Sequence, residues 1–446
     1  MSIAFLLDRF KKNGATDAII WRDEVYSYRW LLNHTQRWIN WLTEKEVLAG
    51  TVVALEADFS PNAIALMLAL IERRCVVVPL TVSVDVLKPE FRRIAQVEAL
   101  ITVGQDDRAS PKKTSICADH ELLLQLKRSG HPGLVLFTSG STGQSKAVVH
   151  DFVPFLEKFK IPRYAKRTIT FLLFDHLGGI DTLLYTLSNA GCVVTLADRS
   201  PDTVCKTIEK HRVEVLPVSP TFMNLLLLSH AETRYDLSSL EIVTYGTEVM
   251  PENTLGRFRK RFPNVRLLQK YGLSEVGTLR SKSKSSDSVW VKVGGEGFET
   301  RVVGGMLEIR ARSAMLGYLN APSPFTEDGW FRTGDAVEVG EEYIRILGRQ
   351  SEIINVGGQK VYPAEVEGVL QLMPGVSEAI VGAESNPITG QIVKAQVRLM
   401  THENIGEFRK RMRQFCKDKL TPYQVPQKVA FVDETMYSGR FKKMRL

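Results

Sequence analysis

Leu134-Val135-Leu136-Phe137 runs directly into Thr138-Ser139-Gly140-Ser141-Thr142-Gly143-Gln144-Ser145-Lys146. The short apolar run reads as a buried strand, and hydroxyl residues, two glycines and a lysine follow it as a loop. Glycine lets a backbone approach a ligand closely, and successive N–H and O–H donors can wrap a polyphosphate. The Walker spacing G-x-x-x-x-G-K-[ST] is absent. Alone, the segment fits an ordinary surface loop as well as a phosphate cradle. Its surroundings decide.

On both sides, apolar runs alternate with helical patterns. Ala63–Ile71, Ser219–Leu228 and Pro251–Phe262 read as helices; Cys75–Pro79, Thr168–Phe174, Cys192–Leu196 and Glu241–Tyr245 read as strands. Such alternation predicts an α/β fold with largely parallel sheets. After about Thr300 the pattern changes to short strands with Gly-containing turns, at Arg301–Val303, Met306–Ile309 and Tyr343–Leu347, which predicts a small β unit. From Arg349 onward the chain reads as a compact α+β module. The expected division is therefore residues 1–348 and 349–446, since 446 residues exceed what one core usually supports.

Hydrophobic residues make up 44% and charged residues 24%, as in a globular protein with a large core. The formal net charge of +8 is concentrated near the end. There Arg409, Lys410, Arg411, Arg413, Lys417, Lys419, Lys428, Arg440, Lys442, Lys443 and Arg445 face only Glu407, Asp418, Asp433 and Glu434. Such a face attracts phosphorylated or acidic partners, or is a solvated helix face. No nucleic-acid reading motif accompanies it. Cys75, Cys117, Cys192, Cys205 and Cys416 are scattered without C-x-x-C spacing, which argues against a disulfide framework or zinc site and predicts a cytoplasmic setting. No leader pattern opens the sequence, and Glu72-Arg73-Arg74 interrupts its most apolar stretch, so no membrane span is expected.

The run from Thr138 to Lys146 resembles the signature of the acyl-adenylate-forming superfamily, which includes acyl- and aryl-CoA ligases, peptide-synthetase adenylation domains and luciferases. Ser145 and Ala147 stand where that family usually has Pro and Gly. Further segments resemble it in the same order: Gly246-Thr247-Glu248, Lys270-Tyr271-Gly272-Leu273-Ser274-Glu275, Gly329-Trp330-Phe331-Arg332-Thr333-Gly334-Asp335, Gly348-Arg349, and Ile354 through Glu367. The resemblance implies a large N-terminal α/β domain, a mobile C-terminal domain, and activation of a small carboxylic acid by Mg²⁺ and ATP. The acyl group then passes to CoA or to the phosphopantetheine of an acidic acyl carrier protein acting in trans. A carboxylate attacking the α-phosphorus builds negative charge that a metal and fixed donors stabilise.

By resemblance, Thr138 through Gly143 and Lys146 bind phosphates, and Gly246, Thr247 and Glu248 pack against adenine. Tyr271 stacks on the base beside Gly272, Ser274 meets the α-phosphate, and Glu275 holds Mg²⁺. Asp335 takes the ribose hydroxyls and Arg349 the ribose or phosphate. Ser351 stands at the hinge position, often Asp in the family, and Gly357-Gly358 borders the pantetheine tunnel. Phe174-Asp175-His176-Leu177-Gly178-Gly179 matches the Phe-His-x-Gly-Gly of CoA ligases with Asp175 replacing an aromatic. Its other alignment is the Phe-Asp of amino-acid pockets, where Asp pairs an ammonium. The first makes His176, Leu177, Gly178, Tyr245, Gly272 and Val276 the acyl-pocket wall, for a neutral acid. The family's catalytic Lys falls at Arg440, with Lys443 as the other candidate cation. A stand-alone amino-acid adenylating enzyme and a non-catalytic nucleotide-binding homologue are the rival readings.

Overall fold

The computed structural model describes residues 2–139, 144–439 and 441–444. Its α/β body holds two seven-stranded sheets. In the first, Arg266–Gln269, Ile242–Tyr245, Val215–Val218, Arg167–Ile169, Cys192–Val194 and Asp17–Trp21 lie parallel, and Glu24–Ser27 closes the edge antiparallel. In the second, Gly133–Ser139, Val76–Leu80, Val52–Glu56 and Ala99–Val103 are parallel neighbours. Ser145–Asp151, Gly317–Tyr318 and Ala109–Lys113 flank them antiparallel.

The helix Pro61–Glu72 is packed on every side: each residue from Ala63 to Ile71 is fully buried. A helix apolar all round belongs inside a protein, and this one shares a core with Ile19 and Val193 of the first sheet and Val53, Val77 and Leu136 of the second. Ser60 caps it by accepting from Ala63 N, and Pro61 stands where a missing N–H costs nothing. The helix Leu177–Ser188 joins the same core. Two sheets clamped on shared helices give a rigid frame.

A six-stranded antiparallel sheet follows, in the order Arg280–Ser283, Trp290–Gly294, Tyr343–Arg349, Phe331–Gly340, Met306–Ala311, Phe298–Val303. The β unit therefore begins earlier than the sequence pattern predicts. Arg280–Ser283 is a polar edge strand with one wet face, which carries no apolar run to read. A last sheet combines Ile354–Val356, Gln359–Val361, Val376–Asn386, Gly390–Leu399 and Lys428–Phe431 with the helices Pro363–Leu370 and Ile405–Cys416 around its own core of Val366, Val381, Val393 and Phe408.

The expected strand at Thr168–Phe174 is paired only over Arg167–Ile169. Beyond Ile169 the chain leaves the sheet and passes over the helix that His176 opens. Gly179 shows how closely: a Cβ there would sit 1.9 Å from the carbonyl oxygen of Leu173. No side chain fits against a fixed backbone at that distance, which is the physical reason for the second glycine of the His-x-Gly-Gly run. Gly179→Ala should destabilise the protein by about 1–3 kcal/mol or more, read as a lowered Tm. Gly256→Ala, where nothing lies within 4 Å of the added carbon, serves as the control and should not lower it.

Candidate active site

Thr138 and Lys146 face each other in the antiparallel pair Gly133–Ser139 and Ser145–Asp151, one register step inside Ser139 and Ser145. Gly140, Ser141, Thr142 and Gly143 lie outside the described residues. The pair is braced from a distance in sequence. Gly317–Tyr318 adds to it as a short antiparallel strand against Val149 and Val148. Asn320 Oδ1 then accepts from Ala147 N, and Asn320 Nδ2 donates to Ser145 O, each at 2.9 Å. One amide thus clamps the backbone on both sides of Lys146. The Lys146 ammonium stands 5.2 Å from the Tyr318 ring centroid, within cation–π range. Tyr318 Oη donates to Glu275 Oε1 at 2.8 Å.

A second cluster adjoins the first. Tyr271 Oη donates to Asp335 Oδ2 at 2.5 Å, and Arg349 Nε meets Asp335 Oδ1 at 2.7 Å. Arg349 also reaches Thr333 O at 3.3 Å. Burial pushes the Asp335 carboxyl above its ordinary range, opposed by the Arg349 charge and the Tyr271 hydroxyl. The Tyr271 hydroxyl is held well above the usual phenol range by burial and then by the Asp335 charge. Between the clusters, the Ser274 carbonyl accepts from His150 Nε2. His150 is fully buried, and burial drops its imidazole from 6.5 to about 4.

His176 caps the Leu177–Ser188 helix, its Nδ1 accepting from Gly178 N at 3.1 Å. Leu177 is buried at the start of that helix, beside Gly178, and Val276 is fully buried behind Gly272. Tyr245 is buried, with no hydrogen-bond partner for its hydroxyl among the described residues. Gly246 and Thr247 turn the chain after that strand, Thr247 in the left-handed region at φ 71°. His176, Thr247, Phe171 and Arg199 line a cleft whose other wall is the chain's last segment, Gly439, Phe441 and Lys442. Asp175, 4% exposed, accepts from Thr81 Oγ1 at 2.9 Å.

The last segment is seated by specific contacts. Phe441 packs its ring against Phe171, Phe222 and Tyr437, and its carbonyl accepts from Ser219 Oγ at 2.7 Å. Glu248 accepts from Thr221 through Oε2 and from Lys443 N through Oε1 at 2.6 Å. The Lys443 ammonium sits 2.7 Å from Glu367 Oε2, and Glu367 is 1% exposed. In this arrangement Lys443 is committed to a carboxylate of its own module, and Glu248 anchors the tail. Arg440 lies outside the described residues.

Ser351 is exposed in the short turn Gln350–Glu352 after Arg349. Gly357 and Gly358 form an exposed hairpin turn at φ 58° and 88°, angles that glycine alone adopts freely. Sequence reasoning missed Tyr318, Asn320 and His150. Tyr318 and Asn320 stand in a Gly-Tyr-Leu-Asn string that no local periodicity marks, and His150 is hidden inside an apolar strand. No group of three or more His, Cys, Asp or Glu able to hold a metal occurs among the described residues. No helix among them is long and apolar enough to cross a membrane.

With this geometry in place, comparison with known proteins identifies the class. The chain belongs to the AMP-binding enzyme family, whose profile matches residues 7–303, and the profile of the AMP-binding enzyme C-terminal domain matches residues 365–442. It is 28% identical to the indoleacetate–CoA ligase of Aromatoleum aromaticum over 68% of this chain, a match that spans 64% of that relative's length. It is 26% identical to a putative acyl–CoA ligase of Bacillus subtilis, covering 94% of this chain and 93% of the relative. The fold is shared with the o-succinylbenzoate CoA synthetase of Bacillus subtilis (TM-score 0.79, 21% identity, covering 99% and 96% of the two chains). It is shared also with an anthranilate CoA ligase (TM-score 0.81, 19% identity, covering 98% and 95%).

The burial of His150, which outweighs its hydrogen bond to Ser274, makes the protein sensitive to acid. The imidazole binds a proton near pH 6.5 when unfolded and near 4 when folded, so the unfolded state binds more protons between those values. Stability is then full above about pH 6.5 and falls toward pH 4 by about 1.4 kcal/mol per pH unit from this group. Denaturant midpoints measured at steps across that window should fall more steeply for the wild type than for His150→Gln.

Proposed function

We propose that the chain activates a carboxylic acid with ATP, giving an acyl-adenylate and pyrophosphate, and then transfers the acyl group to the thiol of CoA. The observation that carries this reading is the convergence of Lys146, Tyr318, Glu275, Tyr271, Asp335 and Arg349 from separate elements onto one place. The relatives with CoA-ligase names support the same class.

In the first half-reaction a carboxylate oxygen of the acid bonds to the α-phosphorus as the bond to pyrophosphate breaks. Lys146, steadied over Tyr318 and clamped by Asn320, supplies positive charge to the phosphates. Asp335 accepts from the ribose hydroxyls through lone pairs that Tyr271 and Arg349 leave open, since each carboxylate oxygen accepts more than one bond. The Ser274 segment, held by His150, faces the α-phosphate. Glu275 fits Mg²⁺, which is usually bound by one or two protein carboxylates together with phosphate oxygens and water. When bound, the ion would neutralise charge developing on the phosphates. In the second half-reaction the thiol sulfur bonds to the acyl carbon, AMP leaves with the former carboxylate oxygen, and the thiol proton goes to solvent.

The last segment closes the cleft in the arrangement seen, which suits the first half-reaction. Rotation of the chain beyond Ser351 would remove that wall and present Gly357-Gly358 to a pantetheine arm. CoA is the acceptor favoured, with a carrier-protein pantetheine using the same path.

A screen of carboxylic acids by ATP–pyrophosphate exchange should find turnover dependent on one group of acids. Glu275→Gln should lower exchange by about 10²–10³ in kcat. Asp335→Asn should act on nucleotide affinity instead, at about 1–3 kcal/mol for weakened charged hydrogen bonds. The reading fails if no acid supports exchange, or if Glu275→Gln exchanges at the wild-type rate.

A further inference from the structure

The last segment is a closed loop built into the C-terminal module. Ser438 N donates to Lys442 O and Phe441 N to Ser438 O, each at 2.8 Å, and Met444 N returns to Met436 O at 3.0 Å. Tyr437 and Lys443 pair across it as an antiparallel bridge. Two buried acids of the module hold its base. Glu378 accepts from Met436 N at 3.2 Å through Oε2 and from Arg398 at 3.0 Å through Oε1. Glu367 accepts from the Lys443 ammonium through Oε2 and from Val381 N through Oε1. Buried carboxylates are tolerated when their oxygens are occupied, and these contacts tie the loop to the strand Val376–Asn386 and the helix Pro363–Leu370. It travels with the module.

On its other side the loop meets the first turn of the helix Pro220–Ser229. Ser219 Oγ accepts from Phe222 N at 3.2 Å as the cap, and its hydrogen goes to Phe441 O at 2.7 Å. Thr221 gives Glu248 Oε2 its N–H at 3.2 Å and its hydroxyl at 2.6 Å. Glu248 Oε1 accepts from Lys443 N at 2.6 Å. Donors at a helix start lack intrahelical partners and carry partial positive charge. Thr221 therefore holds the Glu248 carboxylate in place whether or not the loop is docked. The turn that delivers Glu248 passes through Thr247 at φ 71°, a costly backbone for a β-branched residue.

Resemblance sets Glu248 against adenine, but its contacts point to another task. Three of the roughly four acceptor positions of a carboxylate are taken, two by the helix start and one by the loop. The bond to Lys443 N is charge-assisted and goes to backbone, so it forms only while the loop is docked. Docking also completes the cleft, because Gly439, Phe441 and Lys442 face His176 and Thr247 across it. A group that bonds the loop in one arrangement of the module and not in the other biases that equilibrium by the difference.

We infer that Glu248 is a positioning residue for adenylation, which latches the last segment over the cleft by accepting from Lys443 N and releases it when the module turns for thioester formation. This rests on the two half-reactions proposed above and names the residue that favours the first arrangement. Glu248 acts through the loop rather than on the nucleotide. The Lys443 ammonium, bound to Glu367, serves the same end by keeping the loop in shape.

The test separates an acceptor for the loop from a charge for the nucleotide. Full-chain Glu248→Ala and Glu248→Gln are assayed by pyrophosphate exchange and by thioester formation from pre-made acyl-AMP and CoA. Hydrogen–deuterium exchange of the Lys443 amide, read in the C-terminal peptide, is measured in parallel. Glu248→Ala should lower the kcat of pyrophosphate exchange by about tenfold with the KM for ATP unchanged, and lower thioester formation less. Its Lys443 amide should exchange faster. Glu248→Gln should recover part of both, because its amide oxygen still accepts from Lys443 N. A raised KM for ATP at unchanged kcat overturns the inference and returns Glu248 to the nucleotide. Equal loss in both half-reactions overturns it too, as does a Glu248→Gln as impaired as Glu248→Ala. If no acid supports exchange in the wild type, the adenylation reading falls and the amide decides the latch. Faster deuterium uptake in Glu248→Ala, partly reversed in Glu248→Gln, supports it, and unchanged uptake overturns it.

Discussion

The carboxylate of Asp335 is the joint on which the site depends. A buried charge is tolerated only when it is paired and hydrogen-bonded, and the two groups that satisfy Asp335 come from different parts of the fold. Tyr271 arrives from the loop after the edge strand of the first parallel sheet, and Asp335 itself from the antiparallel β unit. Arg349 closes the strand that leads into the C-terminal module. Asp335 and Arg349 face each other on neighbouring strands of that one sheet, so moving the sheet away from Tyr271 strips the buried carboxylate of one of its two partners. The cost of that outcome fixes how the three are assembled.

The strand pair that carries Lys146 is secured by a different principle. Its own strands pair locally, but the residues that aim Lys146 come from Tyr318 and Asn320, far along the chain. Neutral amide and phenol groups do this without neutralising the lysine charge, as a carboxylate would. Glu275 is drawn into the same arrangement through the Tyr318 hydroxyl. Lys146 and Glu275, of opposite charge, are thus spaced by one ring.

Much of this was legible in the residues. The buried strands and helices of the two large sheets follow from apolar runs, and the family resemblance follows from short strings whose order is informative. Three kinds of feature escape such reading. The run Thr168–Phe174 is apolar because it walls a cleft, and hydrophobicity cannot distinguish a wall from a paired strand. Arg280–Ser283 pairs at a wet edge and so carries no apolar signal. Asn320, His150 and the Glu367 partner of Lys443 act through contacts distant in sequence, which no local pattern encodes.

The seating of Phe441 has a consequence for handling the protein. With the ring in place, Phe171 is 2% exposed and Phe222 fully buried. Any motion that lifts the last segment uncovers both rings at once and frees Phe441 and Tyr437 beside them. Contiguous aromatic surface of this kind drives self-association. The open form is therefore the colloidally fragile one, and dye binding and light scattering should track the fraction of molecules with the tail undocked. Ligands that hold the cleft shut would act as solubilising agents as well as substrates, through mass action on that population.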